Sequence, residues 1–505
     1  MRPPAPADAD AETSEPERAT LATPEPGIGQ PHIDQPHIDQ PHIDQPRIDQ
    51  PIAAAHHFLT RLHPSSTILV AVSGGSDSIG LLLALHHALK TFGAPHRLVA
   101  CTIDHALRPG SAAEAAAVAR RCQGLGIPHH VARWSHSGVT SGLQAEARLA
   151  RYRLLCAAAE TFGADLVVTG HSADDQAETI AMRAARSRQG GVDRDRIPLE
   201  MPPIGLPPIG LAGMADAVLF GRRLWICRPF LGIRRQAVRE MLTSRGEGWI
   251  DDPSNDDPRF ERVRIRKAGP RPSAAEAETA PPDAAAGRLR SAALLSDRLT
   301  RHVRIHEAVA AEIALADLDL ADAGWQRLLA LLAATLAGKP HPIGQETVAR
   351  LVSSLGDPAA TAATAGSCVF ERRGGRLFVY RERRNLPPPL IVAPGQSIVW
   401  DGRFTVENTG AVPLTVKAGG DPALTARITS RDIPAGIAGR VGRASPQMLS
   451  PDGTPAGNEA FCLSPVIAPY DTFLPRFDLM IAQSMAAKIG RAPYPACPVD
   501  DIAMK

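Results

Sequence analysis

The sequence predicts a doubly wound α/β fold with a parallel sheet, followed by a helical region and a smaller β-containing C-terminal part. Three observations carry this expectation. First, the β-branched run Ile68-Leu69-Val70-Ala71-Val72 leads into the glycine-rich stretch Ser73-Gly74-Gly75-Ser76-Asp77-Ser78 and then into a mostly apolar helical segment ending near Lys90. Second, strand and helix patterns alternate: strands near 98–104, 129–134 and 165–169, helices over 111–124, 143–162 and from about 174, and a strand–helix unit near 224–245. Such alternation covers both faces of a parallel sheet with helices. Third, 505 residues exceed a single core, since roughly 150 residues per domain implies two to four.

The flanking segments differ in texture. Residues 1–52 contain PHIDQ at 31–35, 36–40 and 41–45 and PRIDQ at 46–50. A proline every fifth residue removes backbone donors and prevents a helix, so a disordered tail is expected. His32, His37 and His42 leave metal binding open beside a plain solvated repeat. The α/β domain is expected over 53–268, with an insertion at 192–209 beside the tandem PPIGL at 202–211. A Pro/Ala linker is read at 269–287 and a helical region at 288–356, with helices over 288–316, 323–337 and 344–355. A small β-rich region follows at 357–407, and 408–505 carries no assignment.

Composition narrows the class. Net charge is only +2, yet the first fifty residues hold ten acids against three arginines, so the body is mildly basic and permits a polyanionic partner. Seven cysteines form no C-x-x-C, which argues against zinc, iron–sulfur and disulfide frameworks and favours a reducing cytoplasm. No run of about 18 uncharged apolar residues exists, and the start lacks a signal-peptide core, so a soluble chain without membrane contact is expected. Oligomeric state is not legible.

The loop at 73–78 sits between a strand and a helix start, where unpaired amides and the helix dipole attract an anion. Ser73, Ser76 and Ser78 add hydroxyls, and Gly74 and Gly75 allow close backbone approach. A Walker A lysine and a G-x-G-x-x-G fingerprint are both missing. Asp77 stands where a lysine would serve a kinase-like loop, so a divalent cation is the natural mediator between carboxylate and phosphate. A plain Ser/Gly turn capping a helix is the bland alternative.

SGGxDS after a first strand resembles the N-type ATP pyrophosphatase (PP-loop) superfamily. Further stretches are similar to its lysidine synthetase branch: Asp104-His105-Ala106-Leu107-Arg108 with Ser111 and Glu114-Ala115, Ala147-Arg148 with Arg151-Tyr152, and Thr169-Gly170-His171-Ser172-Ala173-Asp174-Asp175-Gln176-Ala177-Glu178-Thr179. Gly210 to Met214, Arg228-Pro229-Phe230-Leu231, Asp252 to Asn255 with Arg262 and Arg266, and Trp400-Asp401-Gly402-Arg403-Phe404 look like later blocks. The chain departs from the pattern at Arg186 to Gly191 and in the proline-rich segment after it.

The resemblance implies ATP-dependent ligation of free lysine to C2 of the wobble cytidine of tRNA(Ile) with a CAU anticodon, through an adenylated cytidine, with ATP as co-substrate and Mg²⁺ as cofactor. A PP-loop tRNA thiolase is the nearest alternative. Under this reading Ser73 to Ser78 cradle phosphates, and Asp77 and Asp175 hold Mg²⁺. Asp174, Asp175 and Glu178 form an acidic helix start with Asp175 favoured for catalysis, and His171 meets a phosphate or the base. Asp174 as an N-cap with Glu178 inside the first turns, and His171 as a packed strand-end residue, remain open. Arg148, Arg228, Arg262 and Arg266 are candidate tRNA or phosphate contacts. Arginine clusters at 222–245, 259–267 and 372–384 suggest the RNA footprint.

Overall fold

The apolar runs become the centre of a seven-stranded sheet. The computed structural model describes residues 49–63, 65–106, 110–135, 143–189, 213–251, 264, 282–420, 422–429 and 433–500. The expected tail up to residue 48, the insertion at 192–209, Arg262, Arg266 and most of the linker lie outside them. Among the described residues no helix is long and apolar enough to cross a membrane.

The first unit runs α1 Gln50–Thr60, β1 Thr67–Ala71, α2 Ser76–Phe92, β2 Arg97–Asp104, α3 Ser111–Gly124, β3 His129–Arg133, α4 Leu143–Phe162, β4 Leu166–Thr169, α5 Ala173–Gln189, β5 Ala217–Phe220, β6 Leu224–Cys227 and α6 Arg235–Ser244. Strands β6, β4, β1, β2 and β3 lie side by side in that order, all parallel, and β5 adds antiparallel to β6. Ile68, Leu69 and Val70 of β1 are fully buried, as a central strand covered on both faces requires. The chain steps from β1 to β2 and β3 on one side of β1 and from β4 to β6 on the other, so the strand order reverses between β1 and β4. That reversal marks the place where open α/β sheets bind ligands.

Helix α1 starts at Gln50 with Pro51 and Ile52 buried, so the last residues of the expected 1–52 tail belong to the folded unit. The expected helix over 288–316 is also corrected. Helix α7 (Pro282–His302) stops at His302, and the chain forms the hairpin β7 Val303–His306 and β8 Ala310–Ala314. Glu307 and Ala308 adopt left-handed φ of 49° and 57° at its turn. Alanine-rich sequence favours a helix here, but pairing of Ile313 with Leu377 overrides local propensity.

Beyond it come α8 Ala323–Ala337, α9 Gln345–Gly356, β9 Ala362–Ala365, β10 Cys368–Arg373 and β11 Arg376–Arg381. The sheet order β7-β8-β11-β10-β9 crosses the expected boundary between 356 and 357, so the helical and β-rich regions share one sheet. Strands β12 Leu390–Val392, β13 Ser397–Trp400, β14 Phe404–Asn408 and β15 Leu414–Ala418, helices α10 Pro422–Thr429 and α11 Ala435–Arg443, and strands β16 Pro446–Leu449 and β17 Phe461–Pro465 build two three-stranded sheets. After α12 Ala468–Asp471, β18 Phe473–Pro475 returns to pair with β5, Leu474 opposite Leu219. The final helix α13 Leu479–Lys488 is joined to α7 through Ser484 and Ser296. Strand β18, within the segment that the sequence leaves without assignment, thus closes the edge of the first sheet.

Candidate active site

The loop after β1 is held open by its own serines. Ser78 Oγ accepts from Ser73 N–H at 3.1 Å, lies 3.2 Å from Ser73 Oγ and donates to Gly75 O at 3.0 Å. Ser78 is therefore a strut of the loop. The first intrahelical bond of α2 runs from Ile79 N–H to Gly75 O, so the amides of Ser76, Asp77 and Ser78 precede it at the helix start. Gly74 has φ of +90°, and an added Cβ would lie 2.9 Å from Ile250 Cδ1; its carbonyl accepts Ile250 N–H at 2.9 Å. Gly170, at the end of β4, has no room for a side chain: a Cβ would lie 2.6 Å from Asp77 O. The β4 turn and the β1 loop therefore touch backbone to backbone.

Helix α5 delivers the acids. Ser172 precedes it, and Asp175 Oδ2 accepts both Ser172 N–H and Ser172 Oγ at 2.9 Å. Asp175 thus takes up the free amide of Ser172 at the start of α5, and Asp174 is not the N-cap that the sequence left open. Asp174 instead reaches across to accept the backbone N–H of Arg235 at 2.8 Å, tying α5 to the start of α6. His171 has Nδ1 2.9 Å from Thr169 Oγ1, which fixes its ring beside the same helix start.

Arg235 gathers these acids. Its Nε donates to Asp77 Oδ2 at 2.8 Å, its Nη2 lies 3.2 Å from Asp175 Oδ1, and its Nη1 lies 3.9 Å from Glu178 Oε1. Burial raises Asp77 above the usual carboxylate range despite the arginine. For Asp175 burial acts the same way, but Arg235 and the Ser172 bonds outweigh it and hold the carboxyl low. Arg239 Nε approaches Ser76 Oγ at 3.4 Å, and its guanidinium stacks on Trp249 and pairs with Asp251.

Residues 45–269 match the PP-loop domain family. A tRNA(Ile)-lysidine synthase of Rhizobium meliloti (strain 1021) is 43% identical over 461 residues, covering 89% of this chain and 97% of the relative. The chain belongs to the tRNA(Ile)-lysidine synthase family. Relatives of the same name from Mesorhizobium japonicum, 38% identical over 85% of this chain and 94% of theirs, and Brucella melitensis biotype 2, 36% identical over 85% and 95%, agree. Among solved structures, the U34-tRNA thiolase NcsA from Methanococcus maripaludis covers 47% of this chain and 75% of its own at 16% identity, with a TM-score of 0.35. The protein is thus a PP-loop, ATP-using ligase of the lysidine synthase family.

A PP-loop, ATP-using ligase needs a place for its nucleotide. No group of three or more His, Cys, Asp or Glu is arranged as a metal cage among the described residues. Mg²⁺ seldom asks for one; it takes one or two carboxylates and completes its shell with phosphates and water. Asp77 and Asp175, converging on one guanidinium, offer that donor set.

The arginine footprint divides. Arg228, a candidate substrate contact, is buried with its Nη1 on Ala215 O, and Arg222 is spent on Asp471 and the Ala492 carbonyl. These bonds tie both side chains into the fold. Arg148 is exposed, 5.1 Å from the Tyr152 ring and 5.9 Å from Phe473, which comes from the returning β18. In the third cluster Arg372 binds the carbonyls of Leu355 and Ala360, and Arg381 is buried on Asp401, whereas Arg373, Arg383 and Arg384 are exposed. Arg235, at the centre of the acidic cluster, is the residue that the sequence does not single out. It falls within the 222–245 arginine cluster, and no local pattern separates it from Arg234.

Proposed function

We propose that this chain ligates free lysine to C2 of the wobble cytidine in a tRNA(Ile) with a CAU anticodon, using ATP and Mg²⁺ in the cytoplasm. The observation that carries the reading is the convergence of Asp77, Asp175 and Glu178 on the crevice beside an amide-lined helix start, in a chain of this family. The backbone amides of Ser76 to Ser78 and the Ser76 hydroxyl receive polyphosphate oxygens, while Ser73 and Ser78 hold the loop in shape. Asp77 and Asp175 hold Mg²⁺, which when bound supplies positive charge for the departing pyrophosphate. The cytidine O2 attacks the α-phosphorus and pyrophosphate leaves. The ε-amine of lysine then attacks C2, and AMP leaves with the oxygen.

Lysine must attack as the neutral amine, so a carboxylate has to take a proton from it. Asp175 and Glu178 are the candidates, and His171 stands beside them. Asp174 acts by fixing the Arg235 backbone. Arg148 and the exposed Arg373, Arg383 and Arg384 supply phosphate contacts for tRNA, with Arg262 and Arg266 as further candidates.

Incubation with labelled lysine, ATP and the CAU-anticodon tRNA tests this directly. Label should enter the tRNA with equimolar AMP and pyrophosphate. Appearance of ADP, or of sulfur in place of lysine, would reject the reading.

A further inference from the structure

Arg235 is a cation lodged where an added cation would have to bind. Asp77 and Asp175 each spend an oxygen on its guanidinium, Glu178 stands 3.9 Å away, and all three carboxylate side chains are largely buried. Its backbone, by contrast, is pinned outside this cluster by Asp174 at 2.8 Å. The Cα is therefore fixed while the long side chain retains rotatable bonds that can swing its head group. The amides at the start of α2 lie beside the same Asp77, so a bound polyphosphate would meet the guanidinium at close range.

We propose that Arg235 is a resident counter-ion that keeps a divalent cation off the Asp77–Asp175 pair until a nucleotide polyphosphate draws the guanidinium away. A guanidinium and a hard dication compete for the same carboxylate oxygens. Arginine pairs well with phosphate, and a small dication prefers phosphate oxygens together with one or two carboxylates. One polyphosphate therefore gives the arginine a new partner and completes the metal's ligands. Metal loading becomes conditional on nucleotide, which protects the acidic cluster from idle occupation. Arg235 is in this role a positioning residue, acting through the carboxylates it releases.

The inference rests on the ATP-dependent reading, but its test needs no turnover. Mn²⁺ serves as the probe, measured on the full chain by titration calorimetry and electron paramagnetic resonance, first without nucleotide and then with a non-hydrolysable ATP analogue, and without tRNA throughout. Arg235→Gln should bind Mn²⁺ about tenfold tighter than the unaltered chain, because removing a competitor raises the binding-competent fraction. A non-hydrolysable ATP analogue adds ligands to the metal in both chains, so it should tighten Mn²⁺ binding in both, but by about tenfold less in the variant, where no guanidinium is left to displace. Arg235→Lys, whose single ammonium reaches fewer carboxylate oxygens, should fall between the two.

A folded Arg235→Gln chain that binds Mn²⁺ equally or more weakly overturns the proposal. Should that variant fail to fold, the lysine variant decides: Mn²⁺ affinity at or below that of the unaltered chain overturns it. Failure of the ATP reading looks different, namely no AMP from the unaltered chain while the Mn²⁺ pattern still holds.

Discussion

Two clusters in this molecule use the same residue types to opposite ends. At the crevice, one arginine faces three carboxylates, Asp77, Asp175 and Glu178, and the negative charge is in excess. At the Trp400–Phe404 turn, one carboxylate lies between two arginines: Asp401 accepts from Arg381 Nε at 3.1 Å and Arg403 Nε at 2.7 Å. There the surplus positive charge is absorbed by carbonyls, including those of Ser367, Glu382, Asn385 and Ala444. Gly402 packs so tightly on Gly338 that a Cβ would lie 2.2 Å from its carbonyl oxygen. The second cluster is saturated and locks a hairpin onto the end of α8. The first is left in need of a cation. Charge balance separates a site from a strut where residue type does not.

The sharpest way to break this contrast is to remove Asp401. Asp401→Ala leaves two buried guanidinium groups without their acid, and unfolding free energy should fall by about 3–5 kcal/mol in chemical denaturation. If stability barely moves, the turn is not the lock described. The matching change at the crevice, Asp77→Asn, should instead keep the fold and cut AMP formation by about 10²–10³-fold, the range for losing one electrostatic stabiliser of the transition state. Near-normal turnover would remove Asp77 from the chemistry.

Gly170→Ala sharpens the picture of the loop. Its methyl group must displace the Asp77 backbone, an overpacking cost of about 1–3 kcal/mol, expected mainly as a raised KM for ATP. An unchanged KM would show that the two turns can part without consequence. A smaller effect is expected from His105, whose burial pushes its pKa down to about 4 and whose Nε2 faces Arg151 Nη2 at 3.3 Å. An imidazole depressed in the folded state stabilises fully above its unfolded pKa of about 6.5 and loses that contribution as pH falls toward about 4. His105→Gln should therefore flatten the stability profile between those values, and an unaltered slope would assign the loss to other groups. Least of all, deleting residues 1–48 should change turnover by less than about twofold, whereas a deletion running through α1 should impair folding.

Much of the fold was legible because parallel strands buried on both faces are written as apolar runs. Helices at 111–124, 143–162 and 323–337 follow the same logic, with Gly338 ending the last in the left-handed region at φ 64°. The hairpin at 303–314 was hidden because alanine is compatible with both structures locally, and only pairing with β11 selects the strand. The loop at 73–78 and the acids of α5 were visible as motifs, but their division of labour was not. Ser78 as strut, Asp175 as cap and Asp174 as clamp each depend on which oxygen meets which amide.

Local sequence alone determined the individual strands of the parallel sheet, the glycine loop and the acidic helix start, because each of these is built from neighbours within a few residues, whereas the pairing of β1 with β2 and β4 joins residues 30 to 98 apart. Tertiary structure decided which arginines meet the acidic cluster. Arg228 sinks into the core, Arg235 crosses from α6 to Asp77 at a separation of 158 residues, and β18 returns from the far end of the chain to close the sheet. The physical reason is that a charge's role depends on the opposite charges and carbonyls brought against it, and those partners are set by chain closure over long distances.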